Sequence, residues 1–549
     1  MKSIQGQHLP LGVTVQEDGT CFSVAVEKGE TCSLLLYCKG EKEPSVTYPM
    51  QKSEGAVYSV KVSDVDAEAY EYLIDDKVLF TDPYTRAFTK DHKSKILIEP
   101  YDWEKDVYPS HAYDDVIAYS LHVRGFTQDG YSKVADRGTF EGVVEKLPYL
   151  KDLGINQIQC MPVYSFMDGE NKPNYWGYGP GYYFAPKNEY SAVNDGVRSL
   201  KNMVKACHRE EIEVVLEMPF YEKTPIYQVI ECLRYYRREF HIDGFILNPA
   251  AVSTKAAYED PYLKGCKLMV HRADFQTIMR RFLKGDEGMV EAVTYWLRHL
   301  SGEEGIFNYI AGHNGFTLND LVSYESKHNE ANGENNQDGP DYNYSWNCGA
   351  EGPSRKKAVL NLRKGQLRNA LFLVFLAQGT PCLLAGDEFG NSQKGNNNVY
   401  CQDNPTGWVN WKKLSTQQEL HDFVKALIAF RKKYKVFHPS REFTGMDMMK
   451  CGVPDVSYHG EFAWRIEKEV ASRQLGVYYS GASLQAQDCY VAYNMHWIPH
   501  TFALPALPKK KKWHMAASTQ VGIFKKEIPL EEQKAIEIDE RTIVVLVAK

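Results

Sequence analysis

Seven short apolar runs, separated by amphipathic stretches, constrain this chain more than any other feature of its sequence. They lie between residues 116 and 386 and read VIAYSLHV, INQIQCMPV, IEVVLEMPF, IDGFILN, CKLMV, FNYIAG and PCLLAG. Such runs are typical of strands buried on both faces, which a parallel sheet requires. The stretch after the first run, FEGVVEKLPYLKDLG, is amphipathic and is predicted to end on Gly154 at a helix C′ position. The repeat predicts a (β/α)8 barrel, a TIM barrel with insertions, over residues 106–440.

An antiparallel β-sandwich is predicted on each side of this barrel, which makes the chain multidomain. Residues 1–105 alternate apolar and polar positions in CFSVAVEKG, CSLLLYC and AVYSVKV, with Gly and Asp between them. Residues 441–549 return to that pattern in VYYSG, CYVAYNM and TIVVLVA. The last helix of the barrel region is predicted to begin with a capping box, Thr416 and Glu419. Its apolar stripe comprises Leu420, Phe423, Val424, Leu427 and Ile428.

Charge and composition exclude several classes of function. The net charge of −7 disfavours the capture of nucleic acid or of an anionic membrane. The first residues, MKSIQGQHLPLGV, contain no apolar signal core, and no apolar run approaches the length of a membrane span. The cysteines have neither CxxC nor zinc-finger spacing, and most read as small buried hydrophobes. We therefore expect a cytoplasmic protein without metal or cofactor, and with neither nucleic acid nor membrane as a partner.

Four segments resemble one enzyme family. They are YSLHVRGFT from Tyr119, NYWGYGPGYYFAPKNEYS from Asn174, GTPCLLAGDEFGNSQKGNNNVYCQDN from Gly379, and GIFNYIAGHNGFTLNDLVSYESKHNEANGENNQDGPDYNYSWNCGAEGP from Gly305. Together they resemble the isoamylases and glycogen-debranching enzymes of the α-amylase superfamily, glycoside hydrolase family 13. The resemblance implies that the first segment is the first barrel strand, that the second follows the third strand, and that the third contains the eighth. It also implies that the N-terminal sandwich is a glucan-binding module.

The resemblance assigns three catalytic carboxylates, and this chain has none of them. The nucleophile of the family motif DGFRFD is Asn248 in the run DGFILN. The acid/base glutamate of KLIAEPWD is His271 in KLMVHRAD, and the third carboxylate is Asn314. A neutral amide is a poor nucleophile and gives a sugar cation no compensating charge. Histidine can donate a proton near neutral pH, but it cannot help without a nucleophile.

Neighbouring positions have also lost residues of the family motifs. The motif arginine that would hold the nucleophile is Ile246, which suits a site without that carboxylate. The Asn-His pair that the family places after its fourth strand, as in VVYNHT, is Tyr221-Glu222, and the loop that follows is shorter. Glu222 and Glu217 are the nearby carboxylates that a relocated centre could use, although Glu217 better fits a structural acidic position of the strand.

Several sugar-binding positions of the family are retained. The resemblance assigns substrate contacts to these residues, and aromatic rings suit the C–H face of a sugar: Tyr175, Trp176, Tyr178, His313, Asp403 and Asn404. For Trp176 and His313, a purely structural role remains open, as does a bracing role for Asp387-Glu388. Residues 325–347 are polar and Gly-rich and resemble the long loop beside the isoamylase cleft.

Two functions follow from this sequence. The first is an isoamylase-like pseudoenzyme of cytoplasmic glycogen or starch metabolism, which binds α-glucan (glycogen, starch or maltooligosaccharide) or pairs with an active isoamylase subunit. The second is an active α-1,6-glucan hydrolase, a debranching enzyme with atypical catalytic residues. A scaffold whose cleft no longer binds sugar is a third and weaker interpretation.

Overall fold

The N-terminal part of the chain is a sandwich of two antiparallel sheets. The computed structural model describes residues 3–97, 99–169, 171–302, 304–466, 468–508 and 510–549. The strands of this part are β1 Ser3–Ile4, β2 Gly12–Gln16, β3 Gly19–Ala25, β4 Cys32–Tyr37, β5 Val46–Pro49, β6 Gln51–Lys52, β7 Val57–Val62, β8 Ala69–Ile74, β9 Val78–Phe80 and β10 Ser94–Lys95. One sheet has the order β1-β7-β3-β2 with β6 on β7, and the other has the order β10-β8-β4-β5 with β9 on β8. Alternate residues of both sheets, among them Phe22, Leu34 and Tyr72, form the core between them.

The central part alternates strands and helices. Its strands are β11 Ala118–Leu121, β12 Gln157–Cys160, β13 Tyr164–Phe166, β14 Gly181–Pro186, β15 Glu213–Met218, β16 Gly244–Leu247, β17 Lys267–Val270, β18 Gly305–Asn308 and β19 Thr380–Leu384. Its helices are α1 Val123–Thr127, α2 Phe140–Glu145, α3 Leu147–Leu153, α4 Gly196–Arg209, α5 Ile226–Glu239, α6 Thr254–Tyr258, α7 Ala273–Lys284, α8 Val290–Arg298, α9 Leu318–Leu321, α10 Lys357–Phe375, α11 Lys412–Thr416 and α12 Gln418–Lys433.

Seven of these strands close into a parallel barrel in the order β11-β12-β15-β16-β17-β18-β19, with β19 paired to β11. The predicted fold class, a (β/α)8-type barrel between two β-domains, is confirmed. The chain passes from β17 to β18 through two helices, α7 and α8, and residues 271–304 contain no strand in their described part. β19, predicted as the eighth strand, is the last one to join the barrel.

The numbering of two strands was wrong. β15, predicted as the fourth barrel strand, is the third, so Tyr221 and Glu222 follow the third strand. The segment from Asn174, predicted to follow the third strand, follows the second. Its strand β14 pairs antiparallel with β13 in a hairpin outside the barrel, and a hairpin read from sequence alone is easily counted as a barrel strand.

The C-terminal part is again antiparallel. Its strands are β20 Val456–His459, β21 Gln474–Tyr479, β22 Cys489–Asn494, β23 His500–Ala503, β24 Trp513–Ser518, β25 Gly522–Pro529, β26 Ala535–Ile538 and β27 Thr542–Ala548. Six form one sheet, and β23 and β26 form a second, with Tyr490, Phe502 and Trp513 packed in the core that the two share. The boundaries at 105/106 and 440/441 stay predictions. No helix in the described ranges combines the length and the apolar character needed to cross a bilayer.

Candidate active-site region at the C-terminal end of the barrel

The two-residue period of the barrel strands decides which side chains meet at the C-terminal end of the barrel. Val215, Ile246 and Met269 fill the barrel interior on three consecutive strands. Because side chains alternate between faces along a strand, the residues two positions further on extend from the same face at the strand ends. These residues are Glu217, Asn248 and His271. Glu217 and His271, on alternate strands, therefore belong to one layer, and Asn248 extends from the strand between them.

Glu217 is the centre of a hydrogen-bonded cluster in this layer. Its side chain is 9% exposed, and its Oε1 accepts the Tyr178 hydroxyl at 2.5 Å. The Nε2 atom of His271 lies 3.2 Å from the same oxygen. The Nε2 atom of His313 lies 4.0 Å from it and 2.6 Å from the Tyr178 hydroxyl. Tyr178 thus links a carboxylate to an imidazole that comes from a different barrel loop.

The surroundings of this cluster fix its charges. Burial alone would raise the pKa of the Glu217 carboxyl, but the adjacent His313 and His271 and the hydrogen bond from Tyr178 outweigh burial and lower the pKa to about 2. Burial lowers the pKa of His313, although Glu217 acts in the opposite direction. Burial, followed by the charge of Glu217, raises the pKa of the Tyr178 phenol. At neutral pH the layer therefore holds an ionised carboxylate and a protonated phenol.

The cluster also has the composition of a metal site. Glu217, His271 and His313 each offer one ligand atom, and these atoms lie within 4.8 Å of one another. Glu217 and His313 are buried, whereas the His271 side chain is 37% exposed. No sequence pattern predicts this arrangement, because the three residues stand on separate strands and loops with no characteristic spacing.

The two asparagines of the predicted reaction centre face solvent. Asn248 follows β16, and its side-chain oxygen accepts the backbone N–H of Ala250 at 3.0 Å. That bond is an Asx-type turn, a local role in which asparagine braces its own loop. Asn314 is also exposed and follows the buried His313. The position predicted as nucleophile therefore carries a neutral amide that takes part in the conformation of the loop.

The retained aromatic residues lie deeper than the asparagines. Tyr175 and Trp176 are each 5% exposed. The hydroxyl of Tyr175 donates to the carbonyl of Gly407 at 3.1 Å, and its ring lies 4.1 Å from that of His122 between centroids. Trp176 packs against the His313 ring at 5.1 Å and 86°. A cavity of about 40 Å³ beside these rings has room for a few water molecules. The assignment of Tyr175, Trp176 and Tyr178 as sugar contacts stays a prediction.

Asp403 and Asn404 lie in a loop that packs beside Trp408. Both oxygens of Asp403 accept the Arg124 Nε–H, at 2.9 and 2.8 Å, and Oδ1 also accepts the indole N–H of Trp408. Asn404 donates to the Gln402 side chain at 2.7 Å. These contacts orient the loop, and a sugar contact for either residue stays a prediction. Arg124 was not predicted as a functional residue. It lies in the segment YSLHVRGFT, and nothing in the sequence indicates that it pairs with the distant Asp403.

The pair Asp387-Glu388 braces the loop after β19. Glu388 is fully buried, and its Oε1 accepts the hydroxyls of Tyr119 at 2.8 Å and of Tyr149 at 2.6 Å. The Asp387 carboxylate accepts the backbone N–H of Leu318 at 2.9 Å. Of the two roles left open for this pair, the contacts favour the structural one.

An asparagine network attaches the loop 325–347 to the loop after β19. Asn329 donates to the Asn397 side chain at 2.8 Å, and Asn397 donates to Asn343 at 2.9 Å. Asn332 and Asn396 exchange hydrogen bonds in the same region, and all five side chains are buried. A buried network with so many satisfied partners makes this loop a fixed wall at the C-terminal end of the barrel.

Part of the chain matches a known family model. The model described as alpha amylase, catalytic domain, matches residues 84–220. The match spans the segment that enters the barrel, strands β11, β12 and β15, and the hairpin between them.

Curated relatives match most of the chain. The glycogen operon protein GlgX homolog of Haemophilus influenzae is 32% identical over 444 residues, which cover 62% of this chain and 67% of the relative. Chloroplastic isoamylase 1 of Arabidopsis thaliana is 28% identical over 584 residues, covering 77% of this chain and 74% of the relative.

A solved structure has the same fold over almost the whole length. Pullulanase type I from Bacillus subtilis, complexed with maltose, aligns with a TM-score of 0.74 and 18% identity. The alignment covers 98% of this chain and 85% of that one.

Proposed function

We propose, from the premise that this chain belongs to the isoamylase-like debranching family of glycoside hydrolase family 13, that it is a non-hydrolytic member which binds α-glucan in glycogen metabolism. The alternative role within the same proposal is a non-catalytic partner of an active debranching enzyme. One observation carries the proposal: the three positions of the family's catalytic carboxylates hold Asn248, His271 and Asn314.

The chemistry of retaining hydrolysis explains why these replacements matter. The reaction needs a nucleophilic carboxylate and a protonated carboxylic acid about 5–5.5 Å apart. Asn248 has no negative charge, and its amide oxygen accepts the N–H of Ala250. Removal of a nucleophile alone lowers kcat by about 10⁴ or more in other covalent enzymes. A chain with this residue at that position is expected to lack measurable hydrolysis.

The carboxylate that remains in the cluster does not replace the missing pair. Glu217 accepts a hydrogen bond from Tyr178, and its pKa is lowered to about 2, so it carries no proton to give at neutral pH. Its side chain is 9% exposed, behind the more exposed His271. Glu222, the other carboxylate considered for a relocated centre, is exposed in the turn after β15.

Exposed polar side chains at the C-terminal end of the barrel support the glucan part of the proposal. His271 and Asn314 are exposed at the C-terminal end of the barrel, where ligands of this barrel type bind. The asparagine network holds the neighbouring loop 325–347 in place. The relatives are named for isoamylase and the glycogen operon, and the pullulanase of the same fold was solved with maltose.

The first experiment measures binding and hydrolysis on the same purified chain. We expect it to co-sediment with glycogen and to bind maltohexaose, and to release no reducing sugar from glycogen or amylopectin. His271→Gln and Asn314→Ala should each weaken glucan binding several-fold. The matched control is His299→Gln, because His299 lies between α8 and β18, at the opposite end of the barrel. A chelator in the buffer keeps metal ions from influencing the result.

The second experiment tests the partner role. The chain is mixed with a purified active isoamylase-type enzyme, and complex formation is measured by size exclusion and by a change in glycogen debranching rate. Absence of both glucan binding and complex formation would refute the proposal. Release of reducing sugar that disappears in Glu222→Gln or Glu217→Gln would favour the active α-1,6-glucan hydrolase instead.

A further inference from the structure

We propose that Glu217, His271 and His313 form a binding site for a divalent transition-metal ion at the C-terminal end of the barrel. Two imidazoles and one carboxylate are the ligand set of His₂-carboxylate sites for zinc and for non-haem iron. Three protein ligands leave at least one coordination position for water or a hydroxyl group. The proposal does not depend on glucan binding, because it concerns the ion alone.

The distances fit an ion with little movement of the backbone. An ion with bonds of about 2.0–2.1 Å in tetrahedral geometry separates its ligand atoms by roughly 3.3 Å. His271 Nε2 and Glu217 Oε1 are 3.2 Å apart, and His313 Nε2 is 4.0 Å from the same oxygen. All three ligand atoms lie within 4.8 Å of one another. The widest separation exceeds the required one by up to about 1.5 Å, which movement of the imidazole rings must close when the ion binds.

The supporting structure holds each ligand in place. Glu217 belongs to β15 and His271 directly follows β17. The His271 ring packs against Phe307 at 5.1 Å and 72°, and the His313 ring packs against Trp176 at 5.1 Å and 86°. Two ligands at strand ends, and two imidazole rings that are already packed, lose little conformational entropy when an ion binds.

Charge and access favour an ion at this position. A buried carboxylate requires a compensating partner. Among the described residues, the ion pairs of Glu217 are with His271 and His313 alone, and neither lysine nor arginine lies within 4.0 Å of it. A metal ion would replace the weak compensation by imidazole N–H groups with a full positive charge. The exposed side of His271 provides the entry path from solvent.

The hydroxyl of Tyr178 shows how the cluster is held together by hydrogen bonds. It donates to Glu217 and lies 2.6 Å from His313 Nε2, so that nitrogen carries the proton in this arrangement. Binding of an ion moves the Nε2 protons of His313 and His271 to the other nitrogen of each ring and leaves Tyr178 with its bond to Glu217. The step is a change of tautomer and needs neither an oxidant nor a further reactant.

The test uses the full chain in a Cys451→Ser background, since Cys451 is an exposed thiol that binds metals non-specifically. After treatment with EDTA, Co²⁺ is titrated and followed by its visible absorption, and Zn²⁺ is measured by competition and calorimetry. We expect one equivalent to bind with an increase in melting temperature. His271→Gln, His313→Gln and Glu217→Gln should each weaken binding by at least about tenfold.

His299→Gln removes a histidine that lies 3.2 Å from Glu442 in another part of the barrel, and it should leave metal affinity unchanged. His271 is exposed, so its variant is expected to fold, and circular dichroism checks this. Failure to bind one saturating equivalent would overturn the proposal. Equal affinity in the parent and in His271→Gln would overturn it too.

Discussion

A quantitative prediction concerns the stability contributed by a buried His–Asp network at the N-terminal end of the barrel. His208 of α4 lies between two carboxylates: its Nδ1 is 3.0 Å from Asp106, and its Nε2 is 3.0 Å from Asp243. The three side chains are 1%, 2% and 4% exposed. Replacing His208 by Gln leaves the buried Asp243 without its cationic partner, whereas Asp106 keeps His241 Nδ1 at 2.6 Å. Removing one partner of a buried ion pair costs about 3–5 kcal/mol.

The pH dependence follows from the direction of the pKa shift. Burial lowers the pKa of His208, but the hydrogen bond and charge of Asp243 and the charge of Asp106 outweigh it and raise the pKa above its usual value. A raised pKa in the folded state stabilises the protein fully below the unfolded value of about 6.5 and loses that effect as pH rises through the folded value. The difference between parent and His208→Gln should therefore be largest near pH 6 and smaller at alkaline pH.

Calorimetry tests this prediction by measuring the Tm of the parent and of His208→Gln. For about 330 barrel residues the entropy of unfolding is roughly 0.7 kcal/mol per kelvin, so 3–5 kcal/mol lowers the Tm by about 4–7 °C. The matched control is His299→Gln, whose partner Glu442 is 37% exposed; such pairs contribute about 0–1 kcal/mol. A Tm change below about 1 °C for His208→Gln near pH 6 would refute the reasoning. A difference that grows with pH would refute it as well.

Three further predictions concern other parts of the barrel. Tyr178→Phe removes a hydrogen bond to the ionised Glu217 and should destabilise the folded chain by about 1.5–3 kcal/mol, measured by thermal unfolding; an unchanged Tm would contradict the contact. Asn248→Asp should yield no reducing sugar from glycogen, because Ile246 replaces the arginine that holds the family nucleophile and the third carboxylate position is still the neutral Asn314; measurable release would show that only the nucleophile was missing. Arg431→Lys should lower the Tm, because Arg431 is buried and donates to four backbone carbonyls that an ammonium group cannot all reach. Equal Tm values would show that those bonds contribute little.

Local patterns in the sequence predicted much of the fold. The apolar runs became buried barrel strands because continuous apolar sequence is stable only where both faces are covered. Gly154 ends α3 in the left-handed conformation, with φ of 102°, which glycine adopts without strain. The apolar stripe of α12 packs in the core as the 3.6-residue period predicts: Leu420, Phe423, Val424, Leu427 and Ile428 are all buried.

The ends of elements were less predictable. The capping box at Thr416 and Glu419 was wrong, because α11 ends at Thr416 and α12 follows Gln417. The Thr416 hydroxyl donates to the carbonyl of Lys413, and Glu419 pairs instead with Lys364 and Arg368. Both side chains of the expected box thus have other partners, and a capping box contributes only about 1 kcal/mol.

The sequence by itself determined that Asn248, His271 and Asn314, the positions that the resemblance assigns to the catalytic carboxylates, carry no carboxylate, because residue type can be read without coordinates. Only the tertiary structure decided which side chains meet around these positions. Glu217 and His271 are 54 residues apart in the chain, and Tyr178 and His313 are 135 apart. They meet because the barrel strands run parallel and close into a ring, so that residues beyond the same end of different strands converge on one layer. Sequence periodicity describes each strand alone and holds no information about that closure.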